Sequence, residues 1–140
     1  MKGLGEQSDG AGRVAEDEGP ESATTGRIIA CAIEVHRNLG PGLLESVYEA
    51  ALCLELADAG LRFVCQHPVP IVYKGRTIAQ HRLDLLVEDL VVVEVKSVER
   101  WDPVFEAQIL TYMRLAEKPL GLLINFNSRL LKNGIKRYAL

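Results

Sequence analysis

The sequence predicts an α/β domain in which helices flank a mixed β-sheet, with the element order α-α-β-β-β-α-β. Apolar residues recur at helical spacing through residues 28–59, and the period changes to two over residues 62–97. A second helical pattern at 104–117 then precedes an apolar run at 120–125 that is typical of a buried strand. Helices and strands in this succession form one sheet with covered faces.

The first part of the pattern predicts two helices. The apolar positions of residues 28–39 share one helix face, and Gly40-Pro41-Gly42 ends this helix and starts the next. The second helix is predicted at 44–59, with Gly60 as its C-cap. The stripe that we expect this helix to bury consists of Leu44, Val47, Tyr48, Ala51 and Leu54.

The second part of the pattern predicts the sheet. Residues 62–66 and 70–73 are predicted as pieces of an edge strand that prolines interrupt, and Lys74-Gly75-Arg76 as a hairpin turn. The later elements are a strand at 77–87, a loop at 88–90, a strand at 91–97, a helix at 104–117 and strands at 120–125 and 135–138.

The composition is that of one globular domain, with 140 residues of which 48% are hydrophobic and 25% charged. These values exclude collagen-like, low-complexity and fully disordered chains. We expect no membrane segment, because no apolar run approaches the roughly 18 residues that a membrane helix needs. Cys31, Cys53 and Cys65 have no metal-binding spacing and are expected to be free thiols of a cytoplasmic protein.

The charge is divided unevenly along the chain, whose net charge is −3. Residues 1–25 hold six acidic and two basic side chains together with five glycines, and we predict that they are a disordered N-terminal tail. Residues 26–140 are predicted to be the single folded domain. Residues 59–83 and 118–140 contain basic but no acidic side chains. This pattern is compatible with a basic face that attracts phosphates and equally with scattered solvated cations.

Two carboxylates are expected to meet on one hairpin. A three-residue loop at 88–90 pairs residue 87 with residue 91, which places Asp84 opposite Glu94 and Lys96 one step along the same face. Adjacent carboxylates in a half-buried sheet repel each other, and a divalent cation with oxygen ligands would compensate them.

The alternative interpretation of this hairpin is a solvated polar face with a Glu–Lys pair. The strand 91–95 is otherwise entirely apolar, as is usual for strands buried on both faces, and this favours the site. The alternation of strand side chains also predicts that Leu83, Leu85 and Val87 share one face, with Arg82 and Asp84 on the other.

Asp84 followed by Glu94-Val95-Lys96 resembles the D-x(n)-E-x-K signature of the PD-(D/E)XK nuclease superfamily, although a leucine precedes Asp84 where the signature has proline. Gly42, Glu45 and Tyr48 resemble the motif of the GxxExxY protein family within that superfamily. The resemblance continues through residues 106–112 and 121–126 and covers about residues 27–138. It implies a restriction-endonuclease-like fold.

The resemblance also implies roles for individual residues. Asp84, Glu94, Glu45 and the Val95 carbonyl would hold a metal ion, Mg²⁺ or Mn²⁺. Lys96 would be catalytic together with the two hairpin carboxylates. Considered alone, Glu45 has another interpretation, an acid placed in a first helical turn to match the helix dipole.

Further residues are assigned to site support or nucleic-acid contact. Gln108 and Tyr112 match a Q-x-x-x-Y pattern on one helix face, and His36 and Arg82 are placed beside the site. A helix-capping role is the alternative for His36. Phe105 stands where the family pattern leads us to expect a histidine.

The implied function is magnesium-dependent hydrolysis of phosphodiester bonds in nucleic acid, with DNA favoured and RNA left open. The alternative is a catalytically weak or inactive domain of the same fold that binds nucleic acid or another protein. A homodimer is expected by analogy, because one small domain offers a limited binding surface. The geometric expectation is that Glu45, Asp84, Glu94 and Lys96 converge on one pocket.

Overall fold

The computed structural model describes residues 13–14 and 19–140. Helices and strands follow one another in the predicted order, the predicted last strand near residues 135–138 is present, and a short strand that was not predicted precedes the first helix. The elements are β1 (Arg13–Val14), α1 (Gly19–Leu39), α2 (Glu45–Asp58), β2 (Phe63–Tyr73), β3 (Arg76–Val87), β4 (Val91–Lys96), α3 (Val104–Ala116), β5 (Leu120–Asn125), a 3₁₀ turn (Leu131–Gly134) and β6 (Ile135–Ala139).

The strands form one six-stranded sheet in the order β1-β6-β5-β4-β3-β2. Neighbouring strands β4 and β5 are parallel, and the other neighbours are antiparallel, so the predicted mixed sheet is confirmed. A parallel pair needs a crossover connection, and α3 provides it. Because β4 and β5 lie inside the sheet and are covered on both faces, their sequences are nearly continuous apolar runs.

The two faces of the sheet are covered by different helices. One core joins α1 and α2 to the face that carries Leu85, Val93 and Leu122. The other core joins α3 to the face that carries Val92 and Leu123. None of the helices in the described part of the chain is long and apolar enough to cross a membrane.

The first helix extends into the segment that the sequence predicted as a disordered tail. Helix α1 begins at Gly19, and Arg13 and Val14 pair with Ala139 and Tyr138 of β6. Thr25 is buried one turn before Ile28, so the packed face of α1 begins earlier than its apolar residues. The predicted boundary at residue 26 missed this turn because a threonine carries no apolar signal. The rest of the predicted tail lies outside the described residues.

The edge strand is continuous, although two separate pieces were predicted. Pro68 and Pro70 lie within β2, opposite Arg82 and Gln80 of β3. Strand β2 is the last strand of the sheet, so a proline nitrogen that faces away from β3 costs no ladder hydrogen bond.

The predicted buried stripe of α2 is wrong at three of its positions. Tyr48 is buried as expected, but it shares its face with Leu52 and Leu56. Leu44 and Leu54 are 73% and 70% exposed, and Val47 is also exposed. Tyr48, Leu52 and Leu56 follow one another at four-residue spacing, and this line faces the sheet.

Leu83 departs from the predicted alternation of β3. It packs in the core beneath α3, with Leu86, whereas Leu85 and Val87 belong to the core on the α1 and α2 side. The regular alternation ends at Asp84, where the pairing between β3 and β4 also ends.

Candidate active site

The site lies where β3 and β4 part. Residue 85 of β3 pairs with residue 93 of β4, residue 86 with 92, and residue 87 with 91, which confirms the predicted register. At the next position side chains replace the ladder. The Asp84 N–H donates to Glu94 Oε2 at 3.1 Å, and the Val95 N–H donates to Asp84 Oδ2 at 2.8 Å. Each carboxylate is therefore anchored by a backbone group of the opposite strand.

Burial and like charge act together on this pair. Glu94 is only 5% exposed, and burial followed by the charge of Asp84 raises its pKa to about 8. Burial also raises the pKa of Asp84, although the Val95 N–H and the Lys96 charge oppose that rise. The interpretation of the hairpin as a solvated polar face is therefore wrong.

Lys96 ends β4 beside the pair. Its charge lowers the pKa of both carboxyl groups, against the effect of burial. Its Nζ lies 4.5 Å from the ring centroid of Phe105, a cation–π contact that orients the ammonium group. Trp101 packs edge-on against Phe105 at 5.2 Å, so both aromatic rings support the lysine. Trp101 therefore packs against a residue of the site.

Glu45 is the first residue of α2 and reaches the end of β4. Its Oε2 accepts the Ser97 N–H at 3.2 Å, and the Ser97 hydroxyl donates to the Leu43 carbonyl at 2.6 Å. The charge of Glu45 contributes to the raised pKa of Asp84, after the larger effect of burial. The structure therefore brings Glu45 to the residue that follows Lys96.

Gly42, Glu45 and Tyr48 together determine where α2 begins and how the loop before it is held. Gly42 has a φ of 104°, a left-handed conformation that glycine adopts without strain. The buried Tyr48 hydroxyl donates to the Gly40 carbonyl and accepts the Leu43 N–H, and its ring stacks on Phe126. The tyrosine fixes the loop that precedes Glu45.

A second acidic residue of α2, Glu49, lies near the site and was not predicted from the sequence. Glu49 lies one turn after Glu45, and its carboxylate oxygens accept the Gln66 amide at 3.1 and 3.2 Å. Burial raises the pKa of Glu49, and the nearby Asp84 and Glu45 charges add to the rise. The spacing of Glu45 and Glu49 was the available signal.

Gln66 gave no such signal, because its position beside Asp84 depends on how β2 pairs with β3. It has a φ of 53° and falls between the paired residues Cys65–Leu85 and His67–Leu83, beside Asp84. Arg82, predicted as a nucleic-acid contact, is exposed and donates to the Gln66 carbonyl at 3.2 Å.

A stacked pair of rings lies on the α3 side of the site. The Tyr112 and His81 rings stack with centroids 3.8 Å apart. Burial raises the pKa of Tyr112, and the charges of Glu94 and Asp84 add to the rise, so the phenol lies near both carboxylates. Gln108 is half-buried one turn before Tyr112 on α3. His81, which the sequence analysis did not select, lies close enough to Asp84 for that charge to oppose the burial that lowers its pKa.

His36 has a partner elsewhere. Its Nε2–H donates to the Ser128 carbonyl at 2.7 Å, which ties the end of α1 to the segment after β5. The structure therefore gives His36 a structural contact, and its predicted support of the site rests on the resemblance alone.

The donors fit a hydrated cation better than a fully enclosed one. Among residues 13–14 and 19–140, no group of three His, Cys, Asp or Glu side chains is placed to hold a metal ion. Asp84 and Glu94 meet, and each uses one oxygen on a backbone N–H. Mg²⁺ keeps several waters and is commonly held by one or two carboxylates, so this pair suits it. The metal roles of Glu45 and the Val95 carbonyl stay predictions.

Comparison with known proteins gives one match. Residues 22–138 match the family model of the PD-(D/E)XK nuclease superfamily. No curated protein and no solved structure matches the chain significantly.

Proposed function

The chain belongs to the PD-(D/E)XK nuclease superfamily, and we propose that it is a metal-dependent nuclease that hydrolyses phosphodiester bonds of nucleic acid. The observation that carries the proposal is the interlock of Asp84 and Glu94, by which we mean that each of these adjacent carboxylates accepts a backbone N–H of the facing strand and that Glu94 is buried. Two adjacent carboxyl groups with raised pKa values are costly in a fold unless a cation compensates them. We also place the chain in the GxxExxY family, because Gly42, Glu45 and Tyr48 act together at the start of α2.

Each residue has a distinct task in the proposed reaction. Asp84 and Glu94 hold Mg²⁺ or Mn²⁺, with Glu45 and the Val95 carbonyl as further ligands. The cation, when bound, supplies a Lewis acid that lowers the pKa of water and neutralises phosphate charge. Lys96, held over the Phe105 ring, stabilises the negative charge that develops on the phosphate.

The surface next to the site supports a nucleic-acid substrate. Residues 59–83 contain no acidic side chain, and Lys74, Arg76 and Arg82 are exposed on the β2–β3 hairpin. Arg82 bonds to Gln66 beside Asp84, so this basic surface reaches the carboxylates. A nucleic acid whose phosphates bind the basic side chains of this hairpin would therefore extend to the carboxylates of the site. DNA is our first choice of substrate.

The central experiment compares cations and substrates on the purified chain. Single- and double-stranded DNA and RNA are incubated with Mg²⁺, Mn²⁺, Ca²⁺ or EDTA. We expect cleavage with Mg²⁺ and Mn²⁺, binding with little turnover in Ca²⁺, and weak binding in EDTA because the clustered acids repel phosphate. Asp84→Asn and Glu94→Gln should each abolish cleavage, whereas the exposed controls Asp58→Asn and Glu99→Gln should not.

Lys96→Ala separates turnover from metal binding. It should lose cleavage but keep the calorimetric signal of Mg²⁺, because the lysine acts on the transition state. Cleavage that survives Asp84→Asn would point to a contaminant or another site. A protein that shows neither cleavage nor a metal signal would contradict the nuclease proposal.

One observation favours a second function, a catalytically weak domain that binds nucleic acid or another protein. Phe105 occupies the position where we expected a histidine, and it contacts Lys96. If a histidine assists catalysis there, Phe105→His should increase cleavage by the purified chain. Metal and nucleic-acid binding without turnover in the native protein, followed by turnover in Phe105→His, would establish the binding-module function.

A further inference from the structure

Two cysteine thiols on neighbouring elements are in direct contact. Cys53 projects from α2 and Cys65 from β2, and their Sγ atoms lie 2.9 Å apart. Cys65 is exposed and Cys53 is half-buried. The third cysteine, Cys31, is buried and donates to the Glu55 carbonyl at 3.6 Å, so its contact is separate from this pair.

We propose that Cys53 and Cys65 are an oxidation site that closes to an intramolecular disulfide. The sulfurs of a disulfide lie about 2.05 Å apart, so closure needs an approach of less than about 1 Å. Sequence spacing did not indicate this site, because the thiols meet only when α2 packs against β2. The pair includes none of the proposed catalytic residues, and it does not depend on the proposed function.

The oxidant is a low-molecular-weight disulfide such as oxidised glutathione. The exposed Cys65, as thiolate, attacks one sulfur of that disulfide, and the other sulfur leaves as a thiol. Cys53 then gives up its proton and attacks the Cys65 sulfur, which expels the second small thiol. The two protein thiols lose two electrons and two protons in total, and the oxidant takes them up as two thiols.

The surroundings of Cys53 are consistent with this order. Burial, followed by the neighbouring Cys65 thiol and the Glu49 charge, raises the pKa of Cys53 to about 12. Cys53 is therefore protonated in the reduced protein. A mixed disulfide on Cys65 removes that thiol from its hydrogen bond and takes away one of the smaller causes of the raised pKa, whereas burial, the largest cause, remains.

The closed disulfide would join α2 to β2 beside a contact that both elements already make. Glu49 lies one turn before Cys53, Gln66 follows Cys65, and these two side chains are hydrogen-bonded. Because the sulfurs are already close, closure preserves this contact and restricts the unfolded chain. Oxidation should therefore raise the melting temperature by several degrees.

The experiment treats the full-length protein with defined ratios of reduced to oxidised glutathione. After oxidation, intact mass spectrometry should show the loss of two hydrogen atoms. Titration of thiols in denaturant should fall from three to one, with Cys31 retained. A peptide map should join the peptides of Cys53 and Cys65. Dithiothreitol should reverse the mass change and the rise in melting temperature.

Serine variants decide whether the pair is responsible. Cys53→Ser and Cys65→Ser should each abolish the two-hydrogen loss, and Cys31→Ser should retain it. Cys65 is exposed, so Cys65→Ser keeps the test valid even where Cys53→Ser folds poorly. Three intact thiols after oxidation, a glutathione adduct on Cys65 that never closes, or a disulfide between two chains would each overturn the proposal.

Discussion

The interlock of Asp84 and Glu94 makes two acids part of the backbone ladder of the sheet. Each carboxylate accepts an N–H from the facing strand, so both side chains have one orientation before any ligand arrives. Preorganised ligands of this kind lose little freedom when a cation binds. The same burial that orients them raises their pKa values, so the metal-free site destabilises the fold at alkaline pH.

Glu94→Gln should remove part of the pH dependence of stability. The pKa of Glu94 rises from an ordinary 4.5 to about 8, so the folded metal-free protein binds a proton that the unfolded chain releases. The contribution of Glu94 to native stability should therefore be fully present below about pH 4.5 and be lost as the pH rises to about 8, by on the order of a few kcal/mol. Urea unfolding in EDTA across this range measures it.

The matched control for this prediction is Glu99→Gln, an exposed acid just beyond β4. Its stability should fall with pH as steeply as that of the native chain, whereas the Glu94→Gln profile should be flatter. Saturating Mg²⁺ should also flatten the native profile, because the cation stabilises both carboxylates in their charged form. An equally steep profile in Glu94→Gln would show that Glu94 does not titrate in this range.

At the scale of elements, the loop between α1 and α2 shows how a short motif positions a residue. Gly42 turns the chain, Glu45 begins the helix, and Tyr48 bonds back to Gly40 and Leu43. Leu44 lies at the N-cap position and its side chain makes no capping hydrogen bond, so the tyrosine hydroxyl has the anchoring role. The motif residues are spaced so that one turn of helix joins the acid to its anchor.

Tyr48→Phe should destabilise the fold by about 1–2 kcal/mol, because it leaves the Leu43 N–H and the Gly40 carbonyl without their hydroxyl partner. The ring still stacks on Phe126, so the variant should fold. Chemical denaturation gives the stability, and calorimetry should show weaker Mg²⁺ binding as Glu45 loses its fixed origin. Tyr73→Phe, at an exposed hairpin position, is the control and should change neither.

The sequence predicted the strands better than the faces of the helices. Residues 120–125 were placed without error, because β5 is apolar from Leu120 to Ile124 and ends at the polar Asn125. The stripe of α2 was misplaced because Leu44, Val47 and Leu54 are apolar but exposed. Hydrophobicity alone does not identify the face of a helix that packs when apolar residues lie on both faces.

At the scale of the whole molecule, the outer half of the β2–β3 hairpin extends beyond the rest of the sheet. Strand β3 pairs with β4 only at residues 85–87, and from Leu83 back to Arg76 it pairs with β2 alone. Tyr73 and Ile78 are 59% and 64% exposed on this two-stranded ribbon, and Lys74 lies at its turn. A ribbon of this width fits the major groove of B-form DNA.

Charge reversal on the ribbon should weaken nucleic-acid binding without affecting the cation. The double variant Lys74→Glu and Arg76→Glu should bind duplex DNA less tightly in Ca²⁺ and show a smaller dependence of affinity on salt. The slope of log affinity against log salt should fall by about 1 for each phosphate that the variant no longer neutralises. Arg37→Glu, on α1 and paired with Glu34, is the control.

Unchanged DNA affinity and salt dependence in the double variant would assign the binding surface elsewhere. The basic residues at 118–140 would then be the next candidates. Calorimetry with Mg²⁺ alone should give the same result for both proteins, so a misfolded variant would be recognised by the loss of this signal.

The parts of the site that were predictable are local in sequence. The hairpin register that joins Asp84 to Glu94 followed from the length of one loop. Other contacts depend on the packing of distant segments, as where Glu45 meets Ser97 or Cys53 meets Cys65. The left-handed backbone conformation of Gln66 was equally hidden, since a glutamine with positive φ has no signature in sequence.

The central position of β4 has a consequence for how firmly each acid of the site is held. Glu94 lies on a strand that is hydrogen-bonded on both sides and buried, so its neighbouring amides should open only in global unfolding. Glu45 lies at the exposed start of α2, and its carboxylate accepts the Ser97 N–H near the surface. A cation that recruits Glu45 competes for that carboxylate. Mg²⁺ should therefore accelerate hydrogen exchange at Ser97 and leave Val93 protected, which would reveal the metal role of Glu45 without any turnover.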